Sequence, residues 1–559
     1  MVQVHKCSEK EKRVGINYKK YMKIKKLGCL FIAFVVSFFV SCNKSTEISI
    51  DEKDSKDMYV VSSIGDAIYL NPVLASDSSS AAVNSYIYNG LLKYDKDLNL
   101  ICDLAESYQV SDNGLEIVFN LKKNIFWHDG KKFTVKDVKF TFDKLIDPNT
   151  RTPFSSDYLM VKEFRVIDDY SFVVTYDTPF APILESWAIG IIPEHIFINE
   201  DINTSEYNRK PIGTGPYIFK KWVTDQKIVL EANPDYYEGM PKIKVLLFRV
   251  IPDQSVQFLE LRTQTIDELS LTPDQWNAYE SFFKNYNKYR YPAFSFTFFG
   301  FNLEKKPYDN VKFRQAISYA LDKRDIIIGV LSGMAKPAQG IFPPQSWAYK
   351  EIEPYEYNPE KALKLLLSIG FSKSQDGNLL YNGKDFEINI ITNQGNKTRE
   401  LTAQIIQEQL KKIGLKVNVR ILEWSTFLNQ YVNKKNFDAL ILGWNTAVDP
   451  DQFSLWHSSQ AGEGQYNFMS YKNKEVDDLL VKARTTFNKE ERIECYHKIQ
   501  DIMRDDPPCI FLYYPENLVC VHKRFNNVEL APAGIGWNFY QWYVDKENVK
   551  YKNANLLVQ

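Results

Sequence analysis

The chain has 559 residues, enough for two or more hydrophobic cores, and its formal net charge is −1. Positions 1–41 hold nine of the 69 Lys and Arg residues and two of the 70 Asp and Glu residues, so the rest of the chain carries a net charge of −8. Nucleic acids need a basic protein surface, and we therefore expect no nucleic-acid partner.

The N-terminal segment predicts export and lipid attachment. Basic residues between Lys23 and Lys26 precede an apolar run, 27–40, which ends at Ser41 and Cys42. This is the order of parts in a signal peptide, and a cysteine after the small residue is typical of a lipoprotein that is cleaved before Cys42 and lipidated there. We expect residues 1–41 to be the signal peptide, with translation starting at position 1 or 22, and residues 42–57 to be a flexible tether. The alternative is an uncut signal anchor with an incidental cysteine.

The next part of the chain alternates strand and helix signals. Residues 115–121 alternate apolar and polar side chains, as a half-buried strand does. Thr134 with Asp137 three residues later predicts a capping box at the start of a helix. Further helices are predicted at about 311–327, at 398–413 with Gly414 as the stop, at 425–433, and at 474–504 with a break near Asn488. Strands at 415–421 and 438–443 alternate with these helices, which favours an α/β fold with crossover units.

Two β-prone runs, 291–302 and 509–515, predict crossings between two lobes. The alternative is that both are ordinary core strands of one large domain. A hairpin turn is predicted at 515–517, because Pro, Glu and Asn follow one another there. Cys509 and Cys520 flank that turn and would pair as a disulfide or remain as two buried thiols.

A series of short motifs resembles one known family. In chain order the motifs are LAESY (104–108), FNLKKNIFWHDGKKFTVKDVKFTF (119–142), IPEHI (192–196), GTGPY (213–217), NPDYY (233–237), VKFRQAISYALDK (311–323), YNPEKALKLL (357–366) and GWNTAVDP (443–450). From residue 58 to 544 the chain is similar to bacterial extracellular solute-binding proteins of family 5, the peptide/nickel class that serves ABC importers.

The resemblance implies an α/β fold: a two-lobed periplasmic-binding-protein clamp of type II, with mixed sheets, flanking helices, a two-strand hinge and an extra subdomain. Mapped onto this chain, lobe I would comprise 58–292, with the extra subdomain at about 91–210, lobe II would comprise 293–512, and 513–559 would return to lobe I. The implied function is solute capture without chemistry, followed by delivery to ABC permease subunits. The implied protein is a monomer outside the cytoplasm, held by the lipid on Cys42 at the periplasmic face or the cell surface.

Peptide-binding members of the family carry an aspartate three residues after a tryptophan, where it pairs with the ligand's amino group. Here Trp444 is present, but Ala447 occupies that position and the spacing to Pro450 is one residue short. Asp449 is the nearest acid. It would replace the missing aspartate, or it would be a structural turn residue that accepts backbone hydrogen bonds.

The resemblance implies further ligand contacts in polar loops and at tryptophans. Ser78 and Ser79 are candidates, with a helix N-cap as the alternative role. The remaining candidates are Asn393, Gln394, Asn396, Trp424, Trp444 and Asn445. For the two tryptophans the alternative is packing in a mixed core.

Peptides are the expected cargo, and an oligosaccharide, an opine-like compound or a metal chelate is the alternative. We expect no cofactor and no direct metal site, because the five histidines after residue 41 form no HxxxH or HxH pair and no CxxC occurs. An exported hydrolase is a rival from another class, but neither GxSxG nor HExxH is present. A signalling receptor built on the same clamp is another.

Overall fold

The computed structural model describes residues 57–550, and its framework is a mixed β-sheet that runs through both halves of the molecule. Within this range the sheet has twelve strands. We call residues 57–292 with 514–550 lobe I, and residues 293–513 lobe II. No helix in the described part of the chain has the length and apolar character needed to cross a membrane.

Lobe I contributes one half of the long sheet. Its first strand, Met58–Ser63, pairs in parallel with two neighbours, and the other pairings of this half are antiparallel. The strands are Met58–Ser63, Tyr217–Val223, Lys227–Ala232, Val245–Val250, Glu268–Ser270 and Tyr286–Pro292, and the α-helices of this half are Ser78–Ile87, Gln254–Arg262 and Pro273–Trp276.

A smaller unit, residues 105–208, extends from lobe I, and we call it the subdomain. Its four-stranded antiparallel sheet consists of Ala105–Val110, Glu116–Leu121, Ser171–Tyr176 and Val161–Asp168, in that order. The helix Val135–Ile146 packs on this sheet, and the capping box predicted for Thr134 and Asp137 is confirmed. Shorter helices are Ser155–Tyr158, Glu185–Ala188 and Glu194–Phe197.

Lobe II contains parallel crossover units. The strands predicted at 415–421 and 438–443 are Lys416–Leu422 and Ala439–Asn445, and both pair in parallel with the strand Glu387–Asn393, which lies between them. The strand Glu387–Asn393 is followed by the helix Lys397–Lys412 and then by Lys416–Leu422, which pairs with the first strand in parallel. The other principal strands are Ser295–Phe301 and Ala439–Asn445. The other helices are Val311–Ala320, Lys323–Gly329, Pro359–Leu367, Trp424–Thr426, Phe453–Trp456, Lys474–Arg484 and Lys489–Asp505, with a π-helix at Phe427–Val432.

Helix boundaries follow local capping side chains. The predicted break near Asn488 is confirmed, because Asn488 caps the helix Lys489–Asp505 by accepting from the Glu491 backbone N–H. The single helix predicted at 311–327 is two helices, since Asp322 caps a second one. The helix predicted at 425–433 is π-helical over most of its length.

One strand, Cys509–His522, belongs to both lobes, and we call it the hinge strand. Its residues 509–513 pair with Ser295–Phe301 of lobe II, and its residues 516–522 pair with Tyr286–Pro292 of lobe I. The predicted hairpin turn at 515–517 is therefore wrong. Pro515 lies where the strand changes neighbours: it is in register with neither Ser295–Phe301 nor Tyr286–Pro292, and it pairs with Ala335 of the short strand Ala335–Pro337.

The cysteines of the hinge strand are too far apart to pair. Cys509 and Cys520 are separated by eleven residues of extended chain, roughly 36 Å at about 3.3 Å per residue. A disulfide needs α-carbons within about 7 Å. Both residues are buried free thiols, so the disulfide alternative is wrong and the buried-thiol alternative is confirmed.

Candidate functional site

A cleft of about 680 Å³ lies between the lobes. Lobe I lines it with residues around Asp77 and with 270–273, and lobe II lines it with 295–297, 442–447 and 464–466. The hinge strand forms part of the floor through Tyr513 and Pro515. The volume is in the range typical of small-ligand sites.

The structure brings five of the nine predicted ligand-contact residues to this cleft. These are Ser78, Asn396, Trp424, Trp444 and Asn445. Asn396 also caps the helix Lys397–Lys412, so its side-chain oxygen is already bonded to the Arg399 backbone N–H at 3.0 Å. Ser78 is the first residue of its helix, and Asp77 rather than either serine is the N-cap.

The other four predicted residues do not line the cleft. Ser79 lines a neighbouring cavity of about 170 Å³, with its hydroxyl 3.3 Å from that of Ser63. Asn393 is fully buried. Gln394 is exposed and donates its backbone N–H to Leu422 at 2.6 Å. Asp449 faces a helix of lobe II.

Asp449 is held in a bidentate ion pair. Its two carboxylate oxygens accept from Arg492 at 2.9 and 2.6 Å, and one of them also accepts from the Asp451 backbone N–H at 2.9 Å. This geometry fits the alternative in which Asp449 is a structural residue of a turn and not a ligand contact. Glu185 of the subdomain lies nearby, and burial, reinforced by the negative charge of Asp449, raises its pKa to about 7.

The two tryptophans form aromatic walls of the cleft. Trp444 lies 5.2 Å from the ring of Tyr466 and 5.6 Å from the ring of Phe468. Trp424 begins a short helix capped by Glu423, and its ring reaches across to lobe I. A Cβ added to Gly65 of lobe I would lie 2.5 Å from Trp424 Cδ1, so this approach requires glycine.

Arg484 links lobe II to the subdomain. Its guanidinium bonds to Asp451 of lobe II, which lines the cleft, and to Asp157 of the subdomain at 2.7 Å. Its backbone carbonyl accepts from the Ala181 N–H at 2.7 Å. Burial raises the pKa of Asp157, and the adjacent arginine partly offsets that rise. The lobes are thus in contact at the cleft rim as well as at the hinge.

Sequence reasoning missed Arg399, a cleft residue in the first turn of the helix Lys397–Lys412. Its Nη1 donates to Asn393 Oδ1 at 2.8 Å, and burial lowers the pKa of the guanidinium. Its position just after the carboxyl end of a parallel strand could have identified it, because α/β sheets bind ligands at that end of their strands.

Comparison with known proteins identifies the family. A protein-family model, described as bacterial extracellular solute-binding proteins, family 5 Middle, matches residues 99–466. The chain belongs to this family. It is 34% identical over 541 residues to the oligopeptide-binding protein AppA of Bacillus subtilis, covering 93% of this chain and 99% of that protein.

Family members of known structure share the two-lobed α/β clamp. The structure of B. subtilis AppA in complex with a nonapeptide matches with a TM-score of 0.84 at 33% identity, covering 88% of this chain and all of that one. NikZ of Campylobacter jejuni in complex with Ni(L-His) matches with a TM-score of 0.80 at 30% identity, covering 87% and 99%. The predicted clamp fold is confirmed.

Proposed function

We propose that this protein captures oligopeptides outside the cytoplasm and delivers them to the permease of an ABC importer. The observation that carries the proposal is the match to AppA over nearly the whole chain, together with a cleft lined by both lobes. AppA is named an oligopeptide-binding protein, and its structure holds a nonapeptide. We propose further that the protein is a monomer, performs no catalysis, and is divided into lobes and subdomain close to, though not at, every boundary expected from the sequence.

Capture works through differential binding to two arrangements of the lobes. A ligand that contacts both lobes stabilises the closed form over the open form, and the closed form is the one that docks on a permease. In this structure Ser78 on lobe I and Asn396, Trp444 and Asn445 on lobe II face one cleft. We propose these four with Trp424 as ligand contacts, while Asn393 and Asp449 act by positioning neighbouring arginines.

The test is mass spectrometry of small molecules released when the purified protein lacking residues 1–42 is denatured. A ladder of short peptides is the expected result, because a clamp that closes over its ligand retains it through purification. A single non-peptide species would overturn the peptide assignment.

A metal chelate is the second candidate, because NikZ is 30% identical and was solved with Ni(L-His). Across residues 57–550 the structure contains no group of three or more His, Cys, Asp or Glu side chains placed to hold a metal ion. A chelate would therefore be gripped through its organic part. Elemental analysis of the released material separates this candidate from peptides.

We propose that the mature protein is anchored by lipid on Cys42, a residue outside the described part of the chain. The order of basic, apolar and small residues before Cys42 supports this. Cys42→Ser should move the protein from the membrane fraction to the soluble fraction and remove the mass of the lipid from the N-terminal peptide. Membrane retention of the variant would indicate the uncut anchor instead.

A further inference from the structure

The charged residues of the cleft are three acids and one base. The acids already have partners: Asp451 bonds to Arg484 and Glu516 pairs with Arg290. Asp77 accepts from the Ser80 backbone N–H at the positive end of the helix Ser78–Ile87. Two of the three carboxylates are thus paired with an arginine, and Asp77 is the N-cap of a helix with no basic partner among the described residues.

The base is Arg399, a half-buried residue, and it differs from the three buried arginines of lobe II. Arg314, Arg484 and Arg492 each pair with at least one aspartate. Within the described range Arg399 pairs with no carboxylate, and its side chain donates a hydrogen bond to the neutral amide oxygen of Asn393. A cation that is partly withdrawn from water and has no counter-charge costs free energy, which a bound anion would offset.

The helix does not compensate this cation either. Arg399 lies in the first turn of the helix Lys397–Lys412, and the positive end of a helix disfavours cations. Gly443 gives the guanidinium its space, because a Cβ at that position would lie 3.0 Å from Arg399 Nη2. Fully buried Asn393 fixes the other side of the guanidinium. The fold therefore holds an unmatched cation at the edge of the cleft.

We propose that Arg399 binds a carboxylate of the ligand, namely the C-terminal carboxylate of a peptide. The inference rests on the proposed peptide function and specifies which end of the peptide is recognised. Arginine suits the role because its planar fork donates two parallel hydrogen bonds to a carboxylate. The protein thus selects a free C-terminus and needs no acid at position 447 for a ligand amino group.

The test uses synthetic oligopeptide libraries that lack Asp and Glu, so that the chain end is the only carboxylate. Each library is made as the C-terminal acid and as the amide, with the amino end free or acetylated. Peptides retained by the protein lacking residues 1–42 are quantified by mass spectrometry. We expect the wild-type protein to prefer acid over amide by on the order of tenfold or more, whether or not the amino end is acetylated.

Variants assign this preference to Arg399. Arg399→Gln should lose most of the preference and bind the amide about as well as the wild-type protein does, and Arg399→Lys should keep part of it. Arg420→Gln is the matched control, since Arg420 is an exposed arginine of lobe II outside the cleft. Melting of the ligand-free variants checks that each is folded.

Two results would overturn the inference in different ways. Equal retention of acid and amide by the wild-type protein would refute the carboxylate anchor while leaving peptide binding intact, and this comparison needs no variant. Retention of no peptide in any end state would overturn the proposed function and the anchor together. A preference for Asp- and Glu-containing libraries over chain-end acids would assign Arg399 to side-chain carboxylates instead.

Discussion

The contact between Arg484 and Asp157 is expected to favour the closed form. Arg484 belongs to lobe II and Asp157 to the subdomain, and their 2.7 Å hydrogen bond joins the two across the cleft rim. Asp157→Ala removes this bond but leaves Arg484 paired with Asp451. The variant therefore creates no unpaired buried charge and should fold as the wild-type protein does.

The magnitude follows from the burial of the pair. Arg484 is 2% exposed and Asp157 is 31% exposed. A hydrogen bond between charged groups contributes roughly 1.5–3 kcal/mol, and partial solvation of Asp157 reduces this to about 1–2 kcal/mol. Because the bond forms only when the lobes meet, its loss should weaken ligand affinity by about five- to thirtyfold.

Calorimetric titration with a peptide recovered from the protein measures the affinity. Asp143→Ala is the matched control, because Asp143 is an aspartate of the subdomain paired with Lys139 on the same helix. Unchanged affinity in Asp157→Ala would refute the reasoning. An equal loss of stability in the ligand-free protein would show that the contact supports the fold of the subdomain rather than closure.

Three further changes test other parts of the molecule. Asp449→Ala breaks the bidentate pair with Arg492 and should lower the free energy of unfolding in urea by roughly 3 kcal/mol, because it leaves a buried guanidinium unpaired. Burial raises the pKa of Glu185 from 4.5 to about 7, so the folded protein keeps this proton after the unfolded chain has lost it. Stability should therefore fall as pH rises from about 4.5 to about 7, and Glu185→Gln should remove on the order of 2 kcal/mol of that fall in urea titrations. Gly65→Ala places a Cβ against Trp424 and should weaken ligand affinity measured by calorimetry, since the lobes can no longer approach fully.

Matched controls separate these effects from general damage. Asp501→Ala removes an exposed aspartate paired with Lys350 and should change stability little. Glu206→Gln, the control for Glu185→Gln, alters an exposed glutamate of the subdomain. Gly536→Ala adds a Cβ where no atom lies within 4 Å. A variant that behaves like its control would contradict the corresponding prediction.

Features encoded by neighbouring residues could be predicted from the sequence. The capping box at Thr134 and the helix break at Asn488 each depend on a side chain and a backbone group within three residues of one another. The helix Lys397–Lys412 and the strands Lys416–Leu422 and Ala439–Asn445 follow from periodicity alone. Such features can be predicted from a single sequence because they form without a partner that is distant along the chain.

Features that depend on distant partners could not be predicted. Pro515 in a run with Glu and Asn favours a turn locally, but strands from both lobes hold it in an extended chain. Arg484 looks like an ordinary last-turn helix cation, and only the fold brings Asp157 to it. Arg399 likewise has no local feature that shows its lack of a counter-charge.

Two residues near Trp444, Ala447 and Asp449, differ from the pattern of the peptide-binding relatives. The charges of the cleft explain both differences. Ala447 removes the acid that peptide-binding relatives are expected to place there, and Asp449 is committed to Arg492. The loop therefore offers a ligand ammonium no free carboxylate, while Arg399, on the neighbouring element, offers a carboxylate an unmatched cation. If the protein recognises the C-terminal carboxylate of a peptide instead of its amino group, each ligand still has one charged anchor. That anchor fixes the register of the peptide while its side chains vary. Ala447 lines the cleft, so Ala447→Asp would restore an acid there. Affinity for peptides with free amino ends, measured by calorimetry, should not rise in this variant if the contact of the C-terminal carboxylate with Arg399 already fixes the peptide's register.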